Sequence, residues 1–173
     1  MILWDCSSAD SFSEQMPGNV SARFEYAPGS ADETLTSCSW LHTQQSQFVA
    51  GYANSQINFF DVVSGSSSLV QAAKLSPDSP SSARNSQINS LVSHPSQNIV
   101  CAGHENGRLS LFDFKADKVS GYLDNAHKEA ISSVVATNSG LHLISGSHDG
   151  SLKVWDMRKL SGESGAPEPL FEV

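Results

Sequence analysis

The stretch that decides the fold is Leu143-Ile144-Ser145-Gly146-Ser147-His148-Asp149-Gly150-Ser151-Leu152-Lys153-Val154-Trp155-Asp156. Two apolar segments flank a polar turn, as the two strands of a half-buried hairpin do. The stretch ends in Trp-Asp, and Asn125-Ala126-His127 stands upstream of it. A hairpin with these marker residues indicates one unit of a repeated β-structure.

The same arrangement recurs along the chain. An aromatic-aspartate pair closes each unit, as Trp4-Asp5, Phe60-Asp61, Phe112-Asp113 and Trp155-Asp156. The last three pairs are preceded at one constant spacing by a polar turn former, as Asn54, Asn106 and Asp149. Only the final interval has the usual WD-repeat length of about 40 to 45 residues, so we expect insertions in the others. Each WD repeat supplies one four-stranded blade of a β-propeller.

These repeats predict an all-β WD-repeat β-propeller that is incomplete, with about three to four blades of a ring expected to have seven. We expect residues 1–30 to end one blade and residues 31–82 to form the next, with a Ser/Pro-rich insertion at about 64–86. Residues 83–124 and 125–160 should form two more blades. The segment to Val173 would then be an outer strand or the start of another blade. The chain is therefore expected to be a piece of a longer propeller.

Composition narrows the class of protein. Asp and Glu number 18 against 10 Lys and Arg, for a net charge of −8, which disfavours nucleic acid as a partner. The three cysteines, Cys6, Cys38 and Cys101, show no paired spacing, as expected for thiols in a reducing compartment. Without a leader pattern or a long apolar run, we expect a cytoplasmic protein with no direct membrane insertion.

Four residues of the last repeat have the types found in a hydrolase triad, namely His127, Ser145, Asp149 and Trp155. In a WD blade these types form a structural chain in which indole, hydroxyl, imidazole and carboxylate pair one another. We favour the structural interpretation because no G-x-S-x-G motif is present. Ser147 is the alternative hydroxyl, and Ser145 is preferred because it lies deeper in the hairpin.

The two earlier hairpins depart from this pattern. Ala50 and Ala102 stand in the place of Ser145, and Phe60 and Phe112 in the place of Trp155. Phenylalanine has no donor, so we expect these blades to lack the polar chain and to depend on apolar packing.

Other candidate sites are weaker. The six histidines form no H-x-x-x-H pair and the cysteines no C-x-x-C pair, so neither a metal site nor a cofactor is expected. Ser76 and Ser79 each precede a proline in a Ser/Pro-rich segment, which makes them candidate phosphorylation sites. Ordinary loop composition is the alternative explanation of these dipeptides.

The residues from Asn85 onward resemble a particular family. The segments that carry the resemblance are Ser86-Gln87-Ile88-Asn89, Val92-Ser93-His94-Pro95, Ala102-Gly103-His104-Glu105, Asn125-Ala126-His127 and Leu143 to Asp156. Together they resemble the late blades of the striatins. That resemblance implies a regulatory scaffold of type 2A protein phosphatase, assembling a complex with kinases and Mob-like proteins.

The function expected is therefore a non-catalytic protein-interaction scaffold. Turn residues outside the strand ladders are the candidate partner-binding residues, namely Glu105, Lys128, Glu129 and His148. One alternative is a generic WD-repeat adaptor of a transcriptional corepressor or a transport coat. A hydrolase using Ser145, His127 and Asp149 ranks last.

Overall fold

The computed structural model describes residues 2–4, 22–25, 34–44, 46–62, 68–75, 86–160 and 167–173. Within these ranges the chain forms three four-stranded antiparallel sheets and one two-stranded sheet. Each four-stranded sheet follows chain order from its first to its last strand, as expected for propeller blades.

The two-stranded sheet contains β1 (Ile2–Trp4) and β2 (Ala22–Glu25). We call the four-stranded sheets blades A, B and C. Blade A contains β3 (Leu35–Trp40), β4 (Gln47–Tyr52), β5 (Gln56–Asp61) and β6 (Ser68–Lys74). Blade B contains β7 (Ile88–Ser93), β8 (Ile99–His104), β9 (Leu109–Asp113) and β10 (Lys118–Leu123). Blade C contains β11 (Ile131–Ala136), β12 (His142–Ser147), β13 (Leu152–Asp156) and β14 (Phe171–Glu172), with the short helix α1 (Met157–Leu160) after β13.

The apolar alternation places the strands where the sequence predicts them. The alternation predicts first strands at 35–40, 88–92 and 131–136. Strands β3 and β11 have these bounds, and β7 ends one residue later, at Ser93. The segment ending at Val173 contributes β14, which pairs antiparallel with β13. Of the Ser/Pro-rich segment, residues 68–75 are described, as β6 and the buried Leu75. Ser76 and Ser79 lie outside the described residues.

Neighbouring blades pack through a repeated contact. A Cβ on Gly51 of blade A would lie 2.9 Å from side-chain carbons of Ile88 and Leu91 of blade B. A Cβ on Gly103 of blade B would lie 2.5 Å from Ile131 of blade C. Real Cβ atoms do not approach so closely, so these positions require glycine for the next blade to pack.

A hydroxyl group accompanies each of these glycines. Ser37, which pairs with Gly51 in blade A, accepts a hydrogen bond from the backbone N–H of Leu91 at 3.1 Å. Ser90, which pairs with Gly103 in blade B, accepts one from Val134 N–H, also at 3.1 Å. Each junction therefore combines close apolar packing with one directional bond.

Candidate interaction face

Blade C contains a continuous polar chain beneath its turn. The Trp155 indole N–H donates to Ser145 Oγ at 2.8 Å, and Ser145 Oγ lies 2.7 Å from His127 Nε2. On the other side of the ring, His127 Nδ1 lies 2.9 Å from Ser151 Oγ and 3.4 Å from Asp149 Oδ2. The structure thus brings together all four residues that the sequence analysis selected and adds Ser151.

The donors and acceptors fix a direction for this chain. Because the indole uses a lone pair of Ser145 Oγ, the Ser145 hydroxyl is free to donate to His127 Nε2. The neutral ring then carries its proton on Nδ1 and donates to Ser151, whose hydroxyl donates to Asp149 Oδ1 at 2.6 Å. Every proton in the chain points toward the carboxylate.

The electrostatics agree with this direction. Burial lowers the pKa of His127, against the opposing effect of the nearby Asp149 carboxylate. The Ser151 hydroxyl holds the pKa of Asp149 far below its usual range, assisted by the Lys128 and Ser151 backbone N–H groups. The ground state is therefore a neutral imidazole beside an ionised carboxylate.

Sequence reasoning missed Ser151. The expected contact of the imidazole with the turn carboxylate is present, with His127 Nδ1 3.4 Å from Asp149 Oδ2, but the Ser151 hydroxyl also bridges the same ring nitrogen to Asp149 Oδ1. The available signal was its position directly after Asp149-Gly150, where a side chain leaving the turn can reach back to the Asx carboxylate.

Blade B has its own polar pair, so the expectation of apolar packing alone was wrong there. His104 Nε2 lies 2.8 Å from Ser110 Oγ, and both residues are buried. His104 Nδ1 lies 3.2 Å from the carbonyl oxygen of Ser86. A carbonyl only accepts, so Nδ1 carries the proton and Nε2 accepts from Ser110. Burial lowers the pKa of His104 to about 4.

Blade A combines aromatic packing with an amide chain. Phe48 stacks on Phe60 with ring centroids 5.2 Å apart, as a packing interface without a Trp donor requires. Along β5, Gln56 Nε2 donates to the buried Asn58 Oδ1 at 2.9 Å, which the sequence analysis did not foresee.

The four candidate partner-binding residues are exposed on one edge of blades B and C. Glu105 and His148 occupy matching places, because their backbone N–H groups bond to the carbonyls of Gln87 and Ala130, just before the first strand of each blade. Lys128 and Glu129 lie in the loop that precedes β11. We call the surface formed by Glu105, Lys128, Glu129 and His148 the turn face.

Backbone contacts join the parts of the turn face. The N–H of His127 donates to the carbonyl of Gly107 at 3.0 Å, which ties the blade B turn to the loop before β11. The N–H of Lys128 donates to Asp149 Oδ2 at 2.9 Å, which ties that loop to the blade C turn. The polar chain therefore ends directly beneath the turn face and holds its backbone in place.

No group of three or more His, Cys, Asp or Glu side chains is placed to hold a metal ion among the described residues. Nor does that part of the chain contain a helix long and apolar enough to cross a membrane.

The family model named WD domain, G-beta repeat matches residues 120–156, which include the hairpin and polar chain of blade C. Solved structures support the same fold. Sqt1 from Chaetomium thermophilum superposes with a TM-score of 0.64 at 22% identity, over 80% of this chain and 36% of that one. A chain of the Mitotic Checkpoint Complex gives 0.65 at 21% identity, over 90% and 41%. These likenesses show the fold, a partial β-propeller, and residues 120–156 of the chain match a WD repeat.

Within that class the chain resembles the striatins. Striatin-4 of Mus musculus is 31% identical over 122 residues, which are 70% of this chain and 15% of that protein. Striatin of Mus musculus is 29% identical over 117 residues, which are 68% of this chain and 14% of that protein. The chain thus spans about 15% of the length of the curated relatives it matches.

Proposed function

We propose that this chain is a non-catalytic, striatin-like interaction scaffold that presents the turn face to a protein partner in a complex of type 2A protein phosphatase and kinases. The observation that carries the proposal is that buried and exposed polar residues of blade C have different roles. The buried polar groups of blade C bond to one another and hold the turn backbone in place. The exposed side chains of the turn face are attached to that backbone. The resemblance to striatins supports the choice of complex.

The burial of the Ser145 hydroxyl supports a role without catalysis. Its side chain has an exposed fraction of 0%, and its oxygen already contacts the Trp155 indole and the His127 ring. A nucleophile must reach its substrate at close range, and this oxygen has no open approach. Failure of Ser145 to react with an acyl-transfer probe is the expected result.

The composition of the turn face supports a protein partner. It carries two carboxylates and one ammonium group in a chain of net charge −8, which suits a mixed-charge protein surface better than a phosphate backbone. The unpaired state of the described cysteines, Cys38 and Cys101, supports a cytoplasmic setting.

The test is a charge exchange on the turn face. Glu105→Lys combined with Lys128→Glu keeps the net charge and should weaken capture of type 2A phosphatase subunits from cell extract, read by immunoblot. The melting temperature should stay nearly unchanged, because surface substitutions shift stability by within about 0.5 kcal/mol.

The matched control exchanges charges at the opposite edge of the blades. Lys115 lies in the turn after β9, and Glu168 lies before β14; both are exposed. Lys115→Glu with Glu168→Lys should leave capture unchanged. Equal capture by both double variants would overturn the placement of the interface, and capture of other proteins without phosphatase would favour a generic WD-repeat adaptor.

A further inference from the structure

The second residue of the first strand makes different contacts in blade B than in blades A and C. In all three blades this residue lies where the strand register shifts, and an extra residue at such a place can direct its side chain away from the ladder. Thr36 Oγ1 donates to the carbonyl oxygen of Gly51 at 3.0 Å. Ser132 Oγ donates to the carbonyl oxygen of Gly146 at 3.1 Å. In blades A and C the hydroxyl group therefore bonds within its own sheet.

In blade B the equivalent residue is Asn89, and its amide reaches beyond the sheet. Asn89 Nδ2 donates to the carbonyl oxygen of Ile131 in blade C at 3.1 Å and to Glu105 Oε2 at 2.7 Å. Asn89 Oδ1 accepts from Gln87 Nε2 at 3.1 Å. A backbone carbonyl and a carboxylate only accept, so these contacts fix the orientation of the amide. The side chain of Asn89 therefore links Glu105 to the next blade.

Glu105 is held at its backbone as well as at its carboxylate. Its N–H donates to the carbonyl oxygen of Gln87 at 2.9 Å. Asn89 is half-buried, whereas Glu105 is exposed on the turn face. Among the described residues, no hydrogen bond reaches the second carboxylate oxygen, Oε1. The carboxylate is therefore oriented by the protein and presents one oxygen to a partner.

An oriented carboxylate is suited to a basic group. The counterparts of Glu105 in the other blades are Ala53 and His148, whose backbone N–H groups make the same bond to the residue before the first strand. Blade B alone of the three combines a carboxylate at this position with an amide that holds it. Hydrogen bonds between a carboxylate and a guanidinium or ammonium group are strong, and an acceptor that is already ordered loses less entropy on binding. The net charge of −8 also favours a basic partner group.

We propose that Glu105 binds a basic side chain of the protein partner, a lysine or an arginine, and that Asn89 is the positioning residue for this contact. The inference rests on the proposed function, which places the partner on the turn face. It adds the sign of the partner's charge at one position and a residue outside the turn face on which that contact depends. Without Asn89 the Glu105 carboxylate would rotate more freely, and binding would have to order it.

A double-mutant cycle tests the positioning role. Capture of type 2A phosphatase subunits from a dilution series of cell extract, read by immunoblot, should weaken about tenfold for Glu105→Ala and about threefold for Asn89→Ala. In the Glu105→Ala background, Asn89→Ala should cause no further loss, because its effect acts through the carboxylate. A merely structural residue would weaken capture equally in both backgrounds, and that result would overturn the positioning role.

Ser132→Ala is the matched control for Asn89→Ala. It removes the polar side chain at the equivalent position of blade C, where that side chain bonds within its own sheet. Capture by this variant should equal that of the parent. A loss as large as that of Asn89→Ala would show that any change at this strand position weakens capture, and would contradict the proposal.

Glu105→Gln tests the charge of the partner group. The glutamine keeps an oxygen that can accept from Asn89 but carries no charge, so capture should weaken nearly as much as in Glu105→Ala. Capture at the parental level by Glu105→Gln would overturn the binding of a basic group.

Nuclear magnetic resonance of the Asn89 side-chain amide tests its link to Glu105 without any partner. In the isotope-labelled 173-residue chain, Glu105→Ala should shift the amide proton resonances of Asn89, because it removes one acceptor. Glu129→Ala, at the other carboxylate of the turn face, should leave them in place. Absent or equal shifts would overturn the positioning role.

The outcomes separate this inference from the proposed function. If the parent captures no phosphatase, or if Glu105→Ala captures as much as the parent, the proposed function fails and the binding of a basic group fails with it. If Glu105→Ala weakens capture and Asn89→Ala does not, the proposed function stands and the positioning role of Asn89 is wrong.

Discussion

Blades B and C build the same turn over different buried chemistry. Blade C connects Trp155 to Asp149 through two hydroxyl groups and an imidazole. Blade B places its imidazole at the end of β8, between Ser110 and a backbone carbonyl. In both blades, each ring nitrogen of the imidazole has a hydrogen-bonding partner. The fold therefore requires that buried polar groups be paired, and different residues can provide the partners.

The largest expected effect separates the two turns at equivalent glycines. Gly107 has φ +77° and a Cβ there would lie 2.3 Å from the carbonyl oxygen of His127, whereas Gly150 has φ +82° and open space around it. Gly107→Ala should cost about 3 kcal/mol or more, from left-handed strain plus overpacking, and Gly150→Ala about 1 kcal/mol from strain alone. Urea unfolding measures both, and similar losses would show that the close approach in blade B is unimportant.

A pH dependence should distinguish the buried imidazole of blade B. Its pKa is lowered from 6.5 to about 4, so the unfolded chain binds the proton more readily. The stabilisation is complete above about pH 6.5 and is lost as pH falls toward 4, by at most about 3 kcal/mol. His104→Gln should flatten the unfolding free energy across this window relative to the parent. An unchanged slope would assign the dependence to His127, whose pKa is lowered by burial as well.

In blade C the carboxylate ends the polar chain. Asp149→Ala leaves His127 and Ser151 without their final acceptor and should cost roughly 1 to 3 kcal/mol. The counterpart Asn106→Ala removes a bond to the Arg108 backbone N–H at 3.2 Å and should cost less. Equal melting temperatures for the two variants would mean that the chain adds nothing beyond an ordinary turn.

The smallest expected effect concerns the aromatic that closes each blade. Trp155→Phe introduces the residue that blade B has at this position, and removes the indole donor to Ser145. We expect a loss of about 1 kcal/mol. Trp155→Phe combined with Ser145→Ala reproduces the Ala and Phe of blade B but leaves the buried His127 Nε2 without its donor, so the double variant should be less stable than Trp155→Phe alone by about 1 kcal/mol or more. A double variant as stable as Trp155→Phe would show that the Ser145 hydroxyl contributes nothing to holding the imidazole.

Period-two patterns and turn residues were sufficient to predict the strands, because alternation and burial are local properties. The marker residues of blade C could also be identified from the sequence, because one motif contains the hydroxyl, the carboxylate and the indole. The hydrogen bond between His104 and Ser110 could not be predicted from the sequence, because neither residue occupies a position that the repeat motif defines. The contact of Gly51 with Leu91 could not be predicted either, because it depends on how one sheet packs against the next.

The bond from Leu91 to Ser37 has a consequence for amide hydrogen exchange. A strand N–H is ordinarily protected from exchange by the hydrogen bonds of its own sheet. The N–H groups of Leu91 and Val134 instead donate to the preceding blade, and a register shift lies near the start of each of their strands, β7 and β11. Exchange at these two amides therefore reports the separation of neighbouring sheets, while exchange elsewhere in the same strands reports fraying within one sheet. Exchange rates at these two backbone positions would thus measure how cooperatively the blades of the propeller separate.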